Sequence, residues 1–142
     1  MQAEPEPTSH DRRWTLVAVC VTTFMLLLDI TVVVVALPRI QSNLTAGLTG
    51  LQWVVDAYAL ALAALILTAG ALADRYGRRL MFIFGVIVFT GASAVCGAAW
   101  SIAALDIARG VQGIGGAALF AIALALIGYE YRGRDLFGAI AV

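Results

Sequence analysis

Four long apolar stretches leave this chain few ways to fold. They run from about Trp14 to Leu37, Gln52 to Ala73, Leu80 to Ala99 and Ile102 to Ile127. A helix needs about 20 predominantly apolar residues to cross the hydrocarbon core of a bilayer, and each stretch is near or above that length. Within lipid each must be helical, because only a helix or a closed barrel satisfies its own backbone polar groups there. Val32 to Val35 would favour a strand in water, but the membrane overrides that preference. The expected architecture is all-α: a polytopic membrane protein with four transmembrane helices at about 14–37, 52–73, 80–99 and 102–127, and the start of a fifth. Residues 1–13, MQAEPEPTSHDRR, read as a disordered polar tail, and residues 14–142 as a partial transmembrane domain.

Composition supports this class. The 142 residues are 62% hydrophobic and 13% charged, whereas a soluble domain carries about 45–50% apolar and about 25% charged residues. The formal net charge is zero, so there is no electrostatic case for nucleic acid. Cys20 and Cys96 lie inside apolar runs, where a reduced thiol behaves as a small hydrophobe. His10 stands in the tail without another ligand type beside it. No metal cluster, cofactor motif, carboxylate pair or Ser/His/Asp set is expected, and the enzyme reading is weak. The first stretch is too long for a signal peptide, is interrupted by Asp29, and leaves by LPRIQ with no small-residue cleavage site.

Arginine placement gives an orientation. Arg12 and Arg13 precede the first stretch; Arg75, Arg78 and Arg79 follow the second; Arg132 and Arg134 follow the fourth. The connection RIQSNLTAGLTG carries only Arg39, and the one near Trp100 carries none. The excess of positive charge marks the cytoplasmic side, so both ends of the chain are expected there, with the chain multi-pass in the cell (inner) membrane. Asn43-Leu44-Thr45 matches a glycosylation acceptor by chance.

Ionisable residues inside a span are costly and raise a functional hypothesis by default. Thr15, Thr22, Asp29 and Ala36 recur at intervals of seven and form a small, polar stripe on the first helix. Two readings of Asp29 follow. It is either a structural carboxyl paired with a neighbouring helix or a protonatable group in a transport path, since a carboxyl removed from water holds its proton more readily. In LDIARGVQGIGGAAL, Gln112, Gly113 and Gly116 lie three, four and seven residues after Arg109. Glycines so spaced admit a closely packed helix. Arg109 keeps its charge, so it either adjusts a nearby carboxylate or holds an anion; Asp106 is one possible partner and is otherwise solvated. GVQGIGG is not a dinucleotide-binding motif, having neither the spacing nor a preceding strand. Asp56, Trp53 and Tyr58 suit the outer interface, and Asp74 the other end of the same helix.

Several motifs in order resemble the major facilitator superfamily, and most of all its fourteen-helix drug:proton antiporter branch. GALADRYGRRL resembles the loop motif between helices two and three, LDIARGVQGIGGA the helix-four motif, LDITVVVVALP the helix-one motif, and LQWVVDAYAL the opening of helix two. The likeness covers about residues 14–140. It implies that Asp29, Arg109 and Gln112 belong to a proton-coupling or transport path and that Gly113 and Gly116 serve helix packing. It also implies that Gly70, Asp74, Arg75, Gly77, Arg78 and Arg79 form a conformational latch. Where the helix-one motif usually has Asn, this chain has Val34. The family has twelve or fourteen helices with the site between two halves, so the resemblance makes this chain a fragment of a proton-coupled multidrug efflux antiporter, lacking the remaining helices. Its partners would then be the lipid bilayer, protons and a small lipophilic substrate. Two alternatives are a stand-alone four-helix exporter acting as a dimer, and a non-transporting membrane protein that assembles with a partner.

Overall fold

The computed structural model describes residues 9–130, with side chains for residues 17–126. The tail before Ser9, the side chains of His10, Arg12, Arg13 and Thr15, Arg132 and Arg134, and the expected start of a fifth helix lie outside the described residues. Four helices make up the described chain: α1 (Ser9–Leu44), α2 (Leu48–Tyr76), α3 (Arg78–Gly97) and α4 (Ile102–Glu130). All four are long and apolar enough to cross a membrane. Large apolar side chains point outward on each of them: Val35 on α1 is 74% exposed, Leu67 on α2 85%, Ile87 on α3 65% and Ile107 on α4 70%. So much exposed hydrocarbon would be an aggregation surface in water and is the expected coat of a helix bundle in lipid.

α1, α2 and α4 are longer than the apolar stretches alone predict, while α3 keeps the expected 20 residues shifted to Arg78–Gly97. α1 begins at Ser9, inside the expected tail, and runs through Pro38 to Leu44. Proline removes one backbone donor and crowds the preceding turn, but ending the helix there would free several more groups at membrane depth. The expected twelve-residue connection RIQSNLTAGLTG therefore shrinks to Thr45–Gly47, where Thr45 takes φ +47° and the Ala46 N–H donates to the Gln41 carbonyl at 3.2 Å. The charged bridge GALADRYGRRL is likewise almost all helix. Only Gly77 interrupts it, at φ +97° and ψ 133°, with its N–H donating to the Ala73 carbonyl at 3.0 Å. That φ is open to glycine and strained for other residues. Ser101 starts α4, its hydroxyl accepting the Ala104 N–H at 3.2 Å as an N-cap.

α4 packs on the other three helices, most extensively on α2 and α3. Two thirds of its apolar stretch is buried, against 17% for each of the others. Small residues make this possible. A Cβ on Gly115 would meet the Phe89 backbone nitrogen at 2.6 Å, and one on Gly85 would meet Leu119 at 3.0 Å. The expected packing glycine Gly113 is equally close to α2, its would-be Cβ lying 2.6 Å from the Tyr58 carbonyl oxygen. Gly70 differs: a Cβ there would sit 4.0 Å from Ala121, an ordinary contact, so close approach does not require glycine at that position.

These distances predict opposite responses to one added methyl. Gly115→Ala forces α3 and α4 apart and should cost about 1–3 kcal/mol, the range for overpacking. Gly91→Ala meets nothing within 4 Å and should be neutral or stabilising by up to about 1 kcal/mol through helix propensity. Thermal denaturation of the two variants in mild detergent checks both.

Candidate functional site: a buried ion pair between three helices

Within the α1–α2–α4 contact lies a small polar cluster. Thr22 on α1 is buried and returns its hydroxyl to its own helix, donating to the Ala18 carbonyl at 2.7 Å. Two turns further along the same stripe, the Asp29 carboxylate accepts its hydrogen bonds from across the bundle. Arg109 Nη1 donates to Asp29 Oδ2 at 2.6 Å, and Gln112 Nε2 donates to Asp29 Oδ1 at 2.6 Å. Each carboxylate oxygen thus has one donor. Arg109 and Gln112 stand one turn apart on α4, which points both at the same acid, and Arg109 Nη1 also donates to Gln112 Oε1 at 2.9 Å.

Arg109 is held on its other side by α2. Its Nε donates to the Val54 carbonyl at 3.1 Å, and its guanidinium carbon lies 4.4 Å from the centre of the Tyr58 ring. Arg109 and Gln112 are 2% and 1% exposed. The Asp29 side chain keeps 12% exposure, so the acid is the accessible partner of the pair. From α3, the Cys96 thiol donates to Gln112 Oε1 at 3.5 Å. Beside the cluster is a cavity of about 260 Å³ lined by Ile30, Val33 and Val34 of α1, Val55, Tyr58 and Leu62 of α2, and Arg109. Val34, where an Asn was expected, therefore presents hydrocarbon to this space.

Three expectations change. The carboxylate partner of Arg109 is Asp29 and not Asp106, which lies three residues from Arg109 along α4. Asp106 is not simply solvated either: it is half-buried, and among the described residues its enclosed Oδ1 has no hydrogen-bond partner. Tyr58 does not stand in an aromatic belt; it is 3% exposed, because its ring is taken up under the guanidinium. Trp53, at 51% exposure, does face outward. The Tyr58 contact was missed because an aromatic residue near a helix end fits an interfacial belt equally well. The sequence signal was its spacing from Val54, one turn away on the same face.

The six residues expected to form a latch lie elsewhere. Asp74 pairs with Arg78 at 3.7 Å, and Arg78 Nη1 also donates to the Ala125 carbonyl of α4 at 3.3 Å. Arg75 lies over the Tyr76 ring at 5.7 Å, and Arg79 is exposed. Sixteen residues of α2 separate Asp74 from Tyr58, or about 24 Å of helix at about 1.5 Å per residue, so the charged turn and the buried pair do not meet. Among the described residues no group of three or more His, Cys, Asp or Glu side chains could hold a metal ion.

Comparison with known proteins fits this geometry. The sequence profile of the Major Facilitator Superfamily matches residues 19–142. The chain belongs to that superfamily. It is therefore a multi-pass membrane protein of a transporter family and not an enzyme. It is 50% identical over 113 residues to multidrug resistance protein Stp of Mycobacterium tuberculosis, covering 80% of this chain and 21% of that protein. It is 42% identical over 147 residues to the tetracenomycin C resistance and export protein of Streptomyces glaucescens, covering 98% of this chain and 27% of that one. It is 36% identical over 146 residues to multidrug transporter protein MdtP of Bacillus subtilis, covering 99% and 27%. The chain thus spans between about a fifth and just over a quarter of the length of these relatives.

Breaking a buried ion pair by removing one partner costs about 3–5 kcal/mol, whereas replacing both by apolar groups is often neutral. Asp29→Leu and Arg109→Met should each lower the melting temperature in detergent markedly. The double variant should be more stable than Asp29→Leu alone, because no charge is then left buried.

Proposed function

We propose that this chain forms the opening part of a proton-coupled drug exporter of the inner membrane, with Asp29 as the proton-linked acid. The observation that carries the reading is the asymmetry of the buried pair. As a carboxylate, Asp29 neutralises Arg109. Once protonated it no longer does so, and Arg109, which keeps its charge, leaves a net positive charge in the bundle. The Val54 carbonyl, Gln112 Oε1 and the Tyr58 ring still hold the guanidinium in place, but they do not neutralise it. An uncompensated charge at membrane depth costs several kcal/mol, roughly 3 or more on insertion scales, enough to bias one conformation of a transporter over another.

The names of the relatives support export of small drug-like molecules, and the share of each that the chain covers supports its being part of a longer transporter. The apolar cavity next to the pair suits a lipophilic substrate. The charges around Gly77 fit a gating role for a physical reason. Asp74 stands in the last turn of α2, and Arg78 and Arg79 stand in the first turn of α3, where the helix dipole disfavours each of them. Their stabilising contacts are instead the Asp74–Arg78 pair across Gly77 and the bond from Arg78 to α4. Positive-inside placement of the same arginines supports a cytoplasmic location for this turn.

The protein expressed from its native gene, reconstituted in liposomes, should move a lipophilic cation against its gradient when a proton gradient is imposed. Asp29→Asn should abolish that movement while still binding the cation; a normal rate in Asp29→Asn would remove the assignment. For orientation, Asn43→Cys in a Cys20→Ser, Cys96→Ala background should react with a membrane-impermeant maleimide in intact cells. Tyr76→Cys should react only after the membrane is opened, and the reverse pattern would invert the topology.

A further inference from the structure

Tyr58 combines two features that do not fit a simple packing role. It is almost fully buried, at 3% exposure, yet among the described residues its hydroxyl has no hydrogen-bond partner. A buried hydroxyl without a partner is unfavourable, so something else about the side chain must justify its place. Its ring lies under the Arg109 guanidinium, 4.4 Å from centroid to Cζ, well inside the distance of about 6 Å at which a cation and a ring face attract. α4 is shaped to admit this residue. A Cβ on Gly113 would lie 2.6 Å from the Tyr58 carbonyl oxygen, and one on Gly116 would lie 3.1 Å from its hydroxyl oxygen.

We propose that Tyr58 is a positioning residue for the buried pair: its ring face holds the Arg109 guanidinium in line with Asp29, and Gly113 and Gly116 provide the recess that lets it do so. This rests on the Asp29 reading above for its consequence in transport, but not for the contact itself. The ring, unlike the carboxylate, offers the same attraction whether or not Asp29 carries a proton. With the Val54 carbonyl it keeps Arg109 in register while the acid is neutral, so that the pair re-forms when the proton leaves. The ring is the working part and the hydroxyl is dispensable.

Two readouts test this on the protein from its native gene, in lipid. The first is the Arg109 Nε–H signal in nuclear magnetic resonance, assigned by its loss in Arg109→Met. It should be displaced by the ring current in the parent and in Tyr58→Phe, and should move toward the other arginines in Tyr58→Leu. The second is proton-driven efflux. Tyr58→Phe, which keeps the ring face, should melt no lower and should lose less efflux than Tyr58→Leu. Tyr58→Leu should lose roughly thirtyfold, the factor that a desolvated cation–π contact corresponds to. Tyr58→Met, whose flexible chain fills irregular gaps, serves the same purpose should Tyr58→Leu not fold. An undisplaced Arg109 signal in the parent would overturn the proposal. So would an efflux loss in Tyr58→Phe as large as in Tyr58→Leu, which would assign the work to the hydroxyl. If Asp29→Asn transports normally while the Arg109 signal still moves in Tyr58→Leu, the proton assignment fails and the positioning by Tyr58 stands.

Discussion

A guanidinium that cannot lose its proton, placed at membrane depth, constrains everything around it. Arg109 is buried, and in lipid no water is available to solvate it. Its needs are met by a carboxylate from α1, a backbone carbonyl and a ring face from α2, and an amide from its own helix. None of these is local in sequence except Gln112. Satisfying one side chain therefore fixes the relative placement of three helices. The apolar surfaces alone would not, because lipid tails compete with them on equal terms.

The same constraint accounts for the shape of α4. A helix that must bring a charge into the centre of a bundle has to be surrounded, and surrounding it closely requires small residues on its faces. Gly113 and Gly116 meet α2, while Gly115 meets Phe89 and Gly85 of α3. Ala117 and Ala118 are buried in the core that follows. Arginine and glycines belong to one physical requirement, and their nearness in the sequence reflects a shared helix rather than a nucleotide-binding loop.

Much of this was legible in advance, for identifiable reasons. Length and hydropathy specified four spans, since lipid leaves the backbone no alternative. Asp29, Arg109 and Gln112 stood out because polar residues are costly in such stretches. Their pairing was not legible: Asp29 and Arg109 are eighty positions apart, and Asp106 was nearer in sequence. Periodicity says which face of a helix is polar but not which helix it meets. Helix ends were also misjudged. Polarity does not end a helix here: SHDRR at the start of α1, RIQSNL after Pro38, and the residues flanking Gly77 are all helical. Charged residues sustain a helix in water as well as apolar ones do in lipid; the breaks after α1 and α2 fall at Thr45 and Gly77, which take positive φ.

The two charged regions are far apart, and α4 joins them physically. Arg109 lies near one end of this helix, and the Ala125 carbonyl that receives Arg78 lies sixteen residues further on, about 24 Å along the axis. A closely packed helix transmits displacement along its length better than it bends, because each residue's backbone bonds tie it to the next turn. α4 touches both charged regions, while among the described residues the buried pair and the charged turn make no direct contact.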